Sequence, residues 1–157
     1  MENGRYTLHH GDCLDILPTL EAGSVDAVIC DPPYGTTACA WDSVIPFAPM
    51  WSGIKHVVKP RAAVVLFGSE PFSSLLRVSN LDWYKYDWVW EKGAGVGSGF
   101  LHAKNAPVKI HESISVFSSG VVAHVGADSR MAYMPQGTKK VFIKKNGTRR
   151  VGKGDGH

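Results

Sequence analysis

Apolar and polar positions change period several times along this chain, marking out alternating strands and helices. Residues 6–9 read as a short strand, closed by a turn at Gly11-Asp12. Asp12 then occupies a helix N-cap position ahead of Cys13, Ile16, Leu17 and Leu20 at helical spacing. Pro18 sits too deep for a long regular helix, so a short or kinked one is expected. Gly23-Ser24 ends it, and Val25-Asp26-Ala27-Val28-Ile29-Cys30 predicts a strand, followed by a loop from Asp31 to about Val44.

Phe47, Met50, Trp51, Ile54, Val57 and Val58 form the next stripe, with Lys59 in the last turn and Pro60 as the stop. That is the signature of an amphipathic helix. Residues 62–67 are continuously apolar and of strand length, as a buried parallel strand requires. Gly68-Ser69-Glu70-Pro71 opens a further helix with Phe72, Leu75 and Leu76 expected inward. Over residues 83–91, Tyr84, Tyr86, Trp88 and Trp90 alternate with polar positions and predict one apolar strand face, read as core. Ile114 and Val116 alternate with Ser113 and Ser115 in another strand. Strand, helix, strand, helix, strand predicts an α/β sheet with right-handed crossovers.

Composition narrows the class. The 157 residues are 44% hydrophobic and 20% charged, which suits one globular domain. No apolar run approaches the ~18 residues of a membrane span. Residues 1–5 open no signal-peptide h-region, so a cytoplasmic, soluble chain is expected. Three cysteines without a Cys-x-x-Cys pair argue against a disulfide framework or a zinc knuckle. The seven histidines fall into no metal-binding spacing, so no metal is assigned. The net charge of +3 is unevenly spread: residues 133–157 hold seven Lys/Arg and one acid, and residues 1–132 hold ten and thirteen. The chain thus divides into a body, 1–132, and a basic tail, 133–157, whose charge points to a polyanion.

Asp31-Pro32-Pro33-Tyr34 carries the chemistry, directly after the strand at 25–30. Ligands of open α/β sheets collect beyond the carboxyl ends of strands. The prolines stiffen the loop and remove two backbone donors while leaving carbonyl acceptors. A carboxylate, fixed carbonyls and an aromatic ring within four residues suit a planar group bearing an exocyclic amine. Average composition gives this tetrapeptide by chance in on the order of one chain in a thousand of this size.

With Gly11-Asp12-Cys13-Leu14 upstream and Gly35 after it, the tetrapeptide resembles the start of an amino-group DNA methyltransferase. The order is that of the permuted, beta-type N6-adenine enzymes of bacteria and phages. The similarity continues through residues 51–60, Val64-Val65-Leu66-Phe67-Gly68-Ser69, Trp88-Val89-Trp90-Glu91-Lys92 and His111-Glu112-Ser113-Ile114, and covers roughly residues 6–137. The resemblance implies a partial Rossmann-like sheet with helices on both faces, S-adenosylmethionine as methyl donor and double-stranded DNA as substrate. It implies that the target adenine is flipped into the pocket. Asp31 and the Pro32 carbonyl would hold its N6 amine, and Tyr34 would stack on the ring. An aspartate at the first position favours adenine N6 over cytosine N4. Asp12, Cys13 and Asp31 match donor-binding positions, and Asp12 serves equally as a plain N-cap. Cys30 reads as core, Cys39 as an exposed thiol, and His111-Glu112 as structural.

The family's glycine-rich donor motif lies beyond the target-recognition region and has no counterpart here. Gly93-Ala94-Gly95-Val96-Gly97-Ser98-Gly99 has the wrong spacing and opens no helix, so a loop near DNA or pocket is expected instead. The chain thus reads as the N-terminal, catalytic-motif part of such an enzyme. A second chain would then supply the donor-binding half, and residues 6–9 would be weakly held. Lys139-Lys140, Lys144-Lys145 and Arg149-Arg150 read equally as phosphate contacts at the start of a recognition region or as a solvated tail. A non-catalytic DNA-binding remnant is the rival from a different class. Cytosine N4, RNA bases or protein glutamine are rival acceptors.

Overall fold

The computed structural model describes residues 6–93, 97, 99, 103–123 and 126–134. Its elements are α1 (Cys13–Ile16), β1 (Val25–Cys30), α2 (Phe47–Val57), β2 (Val58–Gly68), α3 (Phe72–Val78), β3 (Tyr84–Glu91) and β4 (His111–Phe117). The four strands form one mixed sheet in the order β1-β2-β4-β3. β1 and β2 are parallel, joined through α2, whereas β4 runs antiparallel to both its neighbours. This is the expected α/β class.

The core forms where α2 and α3 lie on the sheet. Met50, Trp51, Ile54 and Val57 of α2 meet Ala62, Val64 and Leu66 of β2, Phe72 and Leu76 of α3, and Phe117 of β4. The Trp51 and Phe117 rings lie 4.8 Å apart, and the buried indole N–H donates to Ser79 Oγ at 2.8 Å. That bond satisfies the polar end of an otherwise apolar side chain. The Leu17 side chain of the 3-10 turn Leu17–Thr19 is seated against Gly53 of α2, where an added Cβ would meet it at 2.9 Å. Pro18 thus shortens the first helix as expected and brings its end down onto α2.

Several expectations need correction. Helices on both faces were expected, but the described helices gather on one. On the opposite face Ala63, Val65 and Phe67 stay half-buried, and Met131 covers only part of the sheet. Residues 6–9 form no strand of the sheet, because the outer side of β1 pairs with no named strand. That edge position leaves Cys30 exposed, not core, and Ile29 74% exposed. In α3 the buried set is Phe72, Ser73 and Leu76, and Leu75 faces solvent.

The four aromatics of β3 do not share a face. A register shift between Tyr84 and Tyr86 lets two residues oppose one, which turns Tyr84 toward Phe117 and the core. Tyr86 and Trp88 face the other way, opposite Val116 and Ile114. β2 is longer than the apolar run and passes through Pro60. The shift in its pairing with β1, between Val25–Val58 and Ala27–Ala63, falls across Pro60 and Arg61. An irregular step is where a residue without an N–H is tolerated within a sheet.

Candidate functional site

β1 ends at Cys30, and the next four residues turn across the carboxyl end of the parallel pair. Pro32 is buried, Pro33 and Tyr34 are half-buried, and Asp31 is exposed. The Tyr34 hydroxyl donates to Asp31 Oδ1. Its ring packs on Phe72 at 5.1 Å with a 30° tilt, and Phe72 in turn meets Phe47 at 5.9 Å. The first turns of α3 and α2 therefore back the tyrosine. Burial, then donation to Asp31, then the charges of Asp31, Glu112 and Cys30 push the Tyr34 hydroxyl far above the ordinary phenol range. It stays a proton donor at any physiological pH, fixing the carboxylate while leaving its second oxygen available.

The loop after the tetrapeptide is organised by a residue the sequence reading passed over. Asp42 is buried, and its carboxylate accepts from three successive amides: Gly35 at 2.9 Å, Thr36 at 2.9 Å and Thr37 at 2.7 Å. Gly35 makes the turn with φ +69°, and a Cβ there would lie 3.0 Å from Val44. The neighbouring Trp41 is left 74% exposed at the rim. The Thr37 hydroxyl first, then the Gly35, Thr37 and Thr36 amides, hold the Asp42 carboxyl at about 2. Because the folded value lies below the ordinary 3.8, the contribution to stability is complete above that pH and lost as pH falls toward 2. Asp42→Asn is therefore expected to flatten the acid limb of a pH–stability curve between about pH 4 and 2. Urea melts across that range check this, and an unchanged acid limb would count against the assignment.

These elements enclose a hollow of about 460 Å³, within the size range of small-ligand sites. Asp31, Pro32, Pro33, Tyr34, Thr36, Thr37, Trp41 and Asp42 line one side, and Ser69, Lys92 and Glu112 the other. Lys92 and Glu112 form an ion pair at the facing ends of β3 and β4, and Lys109 Nζ donates to Ser69 Oγ at 2.6 Å. Glu112, expected to be structural, is thus a wall of the cavity. A second hollow of about 520 Å³ lies at the opposite end of β2, around Pro60, Arg61 and Arg130. It has no carboxylate in its lining, and the ring-and-carboxylate chemistry belongs to the first.

Asp12 caps α1, its Oδ1 accepting from Leu14 N at 2.8 Å. The adjoining Cys13 lies near the end of β1: burial, then Asp31 and Cys13, push the Cys30 thiol upward. The fold therefore brings Asp12 and Cys13 toward Cys30 and Asp31. Lys139, Lys140, Lys144, Lys145, Arg149 and Arg150 lie outside the described residues, as does most of the glycine string. No cluster of metal-ligating side chains occurs among the described residues. Nor is any described helix long and apolar enough to cross a membrane.

No protein-family model matches the chain. Solved structures do. The chain superposes on the cytosine-N4-specific PvuII DNA methyltransferase with a TM-score of 0.54 at 14% identity, over 69% of this chain and 47% of that one. The fold is that of DNA methyltransferases. M1.HpyAVI, solved as a complex with SAM, matches with a TM-score of 0.52 at 17% identity, over 85% of this chain and 63% of its own. A protein from Thermus thermophilus, titled as a candidate DNA modification methylase, gives 0.50 at 18%, over 73% and 54%. The chain thus spans about half to two thirds of the length of these methyltransferase-fold structures.

Asp42, Trp41, Ser69, Lys92 and Glu112 are the lining residues that the sequence reading did not assign to the site. The pair Trp41-Asp42 follows a glycine turn at short range and was in principle readable as an aspartate returning to cap exposed amides. Nothing local marks Lys92 or Glu112, which meet only through pairing of β3 with β4.

Proposed function

We propose that this chain carries the target-base pocket of an S-adenosylmethionine-dependent DNA methyltransferase acting on adenine N6. The observation that supports it is the Asp31–Tyr34 bond over the cavity at the end of β1. It presents a fixed carboxylate beside a stacking ring backed by Phe72. Asp31, with the Pro32 carbonyl, accepts the two hydrogens of an exocyclic amine and so aims its lone pair out of the ring plane. The Tyr34 face holds the base flat. No covalent intermediate on the protein is needed, and positioning in a site shielded from water supplies the rate.

The donor, when bound, supplies a methyl group on a positively charged sulfur. Asp12, Cys13 and Asp31 share the end of β1 where it would sit, and Asp12 keeps one carboxylate oxygen beyond its capping bond. These residues suit one end of the donor. A second chain completing the donor site, and phosphate contacts from the basic pairs at 139–150, belong to the same reading. Double-stranded DNA is the substrate and the cytoplasm the setting.

The fold match to a cytosine-N4-specific enzyme favours N4-cytosine as the second reading. Incubating the chain with DNA and labelled S-adenosylmethionine, followed by nucleoside mass spectrometry, separates the two. N6-methyladenine is the expected product, and N4-methylcytosine would establish the alternative. No methylated nucleoside, together with no saturable donor binding at millimolar concentration, would leave a non-catalytic DNA-binding remnant.

A further inference from the structure

The cavity wall facing the Asp-Pro-Pro-Tyr loop is charged. Lys92 and Glu112 stand there as an ion pair whose side chains are only 23% and 15% exposed. Both charges have given up much of their water. Such a pair is a poor stabilising device, since desolvation consumes most of the attraction and apolar residues of similar volume do as well. The lysine is nonetheless held firmly. Its backbone N–H donates to the Ile110 carbonyl at 2.8 Å, and its ammonium lies 5.9 Å from the centre of the Trp90 ring. An ammonium has three donors, and Glu112 takes one. Glu112 also contributes to raising the Tyr34 hydroxyl, so the pair and the tetrapeptide look into the same space.

We infer that Lys92, oriented by Glu112, donates a hydrogen bond to the ring nitrogen adjacent to the exocyclic amine of the target base. This rests on the base pocket proposed above and adds the second half of its recognition. A flipped base is read along its Watson–Crick edge. On an amino-substituted base that edge is a donor beside an acceptor: the amine and the unprotonated ring nitrogen. Asp31 accepts from the first, so the second needs a donor, and Lys92 is the cation among the lining residues. The arrangement takes adenine through N1 or cytosine through N3. It rejects guanine and thymine, whose corresponding ring nitrogen carries hydrogen and would oppose the ammonium. Glu112 is a positioning residue, since it acts through the lysine.

The test uses the full chain with adenosine and 1-deazaadenosine, in which N1 is replaced by C–H, titrated by tryptophan fluorescence. The wild type is expected to bind the deaza analogue about tenfold more weakly, the scale of one hydrogen bond to a charged group. Lys92→Met should bind both nucleosides at the weaker level and alike. Lys92→Arg, which keeps a cationic donor, should restore the difference, and Glu112→Gln should narrow it. Thermal melts of the same variants confirm that each is folded. Equal binding of both nucleosides by the wild type, with Asp31→Ala weakening both, would overturn the role of Lys92 and leave the pocket standing. A Lys92→Met protein that still discriminates would do the same. No saturable adenosine binding, or binding indifferent to Asp31→Ala, would bring down the base pocket and this inference with it.

Discussion

Asp31→Ala is expected to reduce methyl transfer by at least about a hundredfold, the scale of losing a group that sets the reacting geometry. The carboxylate stands past the end of β1, exposed, and it contacts the fold through the Tyr34 hydroxyl. Its removal should therefore cost only about 1 kcal/mol of stability, the value of one hydrogen bond to a charged group. Asp31→Asn keeps a carbonyl acceptor for the amine and should lose less. The measurement is single-turnover transfer of labelled methyl to DNA, beside a thermal melt. Full transfer by a well-folded Asp31→Ala protein would place the chemistry elsewhere.

Phe117→Ala is the largest stability loss expected. Phe117 is fully buried at the join of three elements: its ring meets Trp51 of α2 at 4.8 Å and Tyr84 of β3 at 5.8 Å. Its backbone pairs with Val64 and Tyr84 at once. Truncating a buried phenylalanine to alanine costs about 3–5 kcal/mol, since the cavity left behind closes only in part. Against a total stability of about 5–15 kcal/mol, much of the margin is removed. The melting temperature should fall by roughly 6–20 °C for a chain of this size. Leu75→Ala, on the same helix layer but exposed to solvent, should change it little. Similar losses at both positions would mean that the core is drawn wrongly.

Where local sequence dictates local structure, the elements were legible. The stripe of α2, the apolar run of β2 and the placement of the tetrapeptide after β1 all rest on nearest neighbours and period. Positions set by partners distant in the chain were not. Tyr84 and Tyr86 look equivalent in an alternating strand, and only the pairing with β4 shows that a bulge sets them on opposite faces. Cys30 reads as core from its apolar run, yet its strand lies at the sheet edge. Leu75 obeys helical spacing, yet α3 is rotated so that Ser73 takes the buried place. The same divide runs through the site. Asp31 and Tyr34 are three residues apart and declare themselves, whereas Lys92 and Glu112 acquire meaning only across a strand pair.

The Asp42 carboxylate also bears on the order in which the site assembles. Its three acceptor bonds span five to seven residues of chain, whereas β2 finds β4 across about fifty. A loop of that shorter length closes in tens of nanoseconds, long before the sheet can condense around it. The rim of the cavity is therefore a nucleus of local order, able to form while the wall opposite is still searching for its partner.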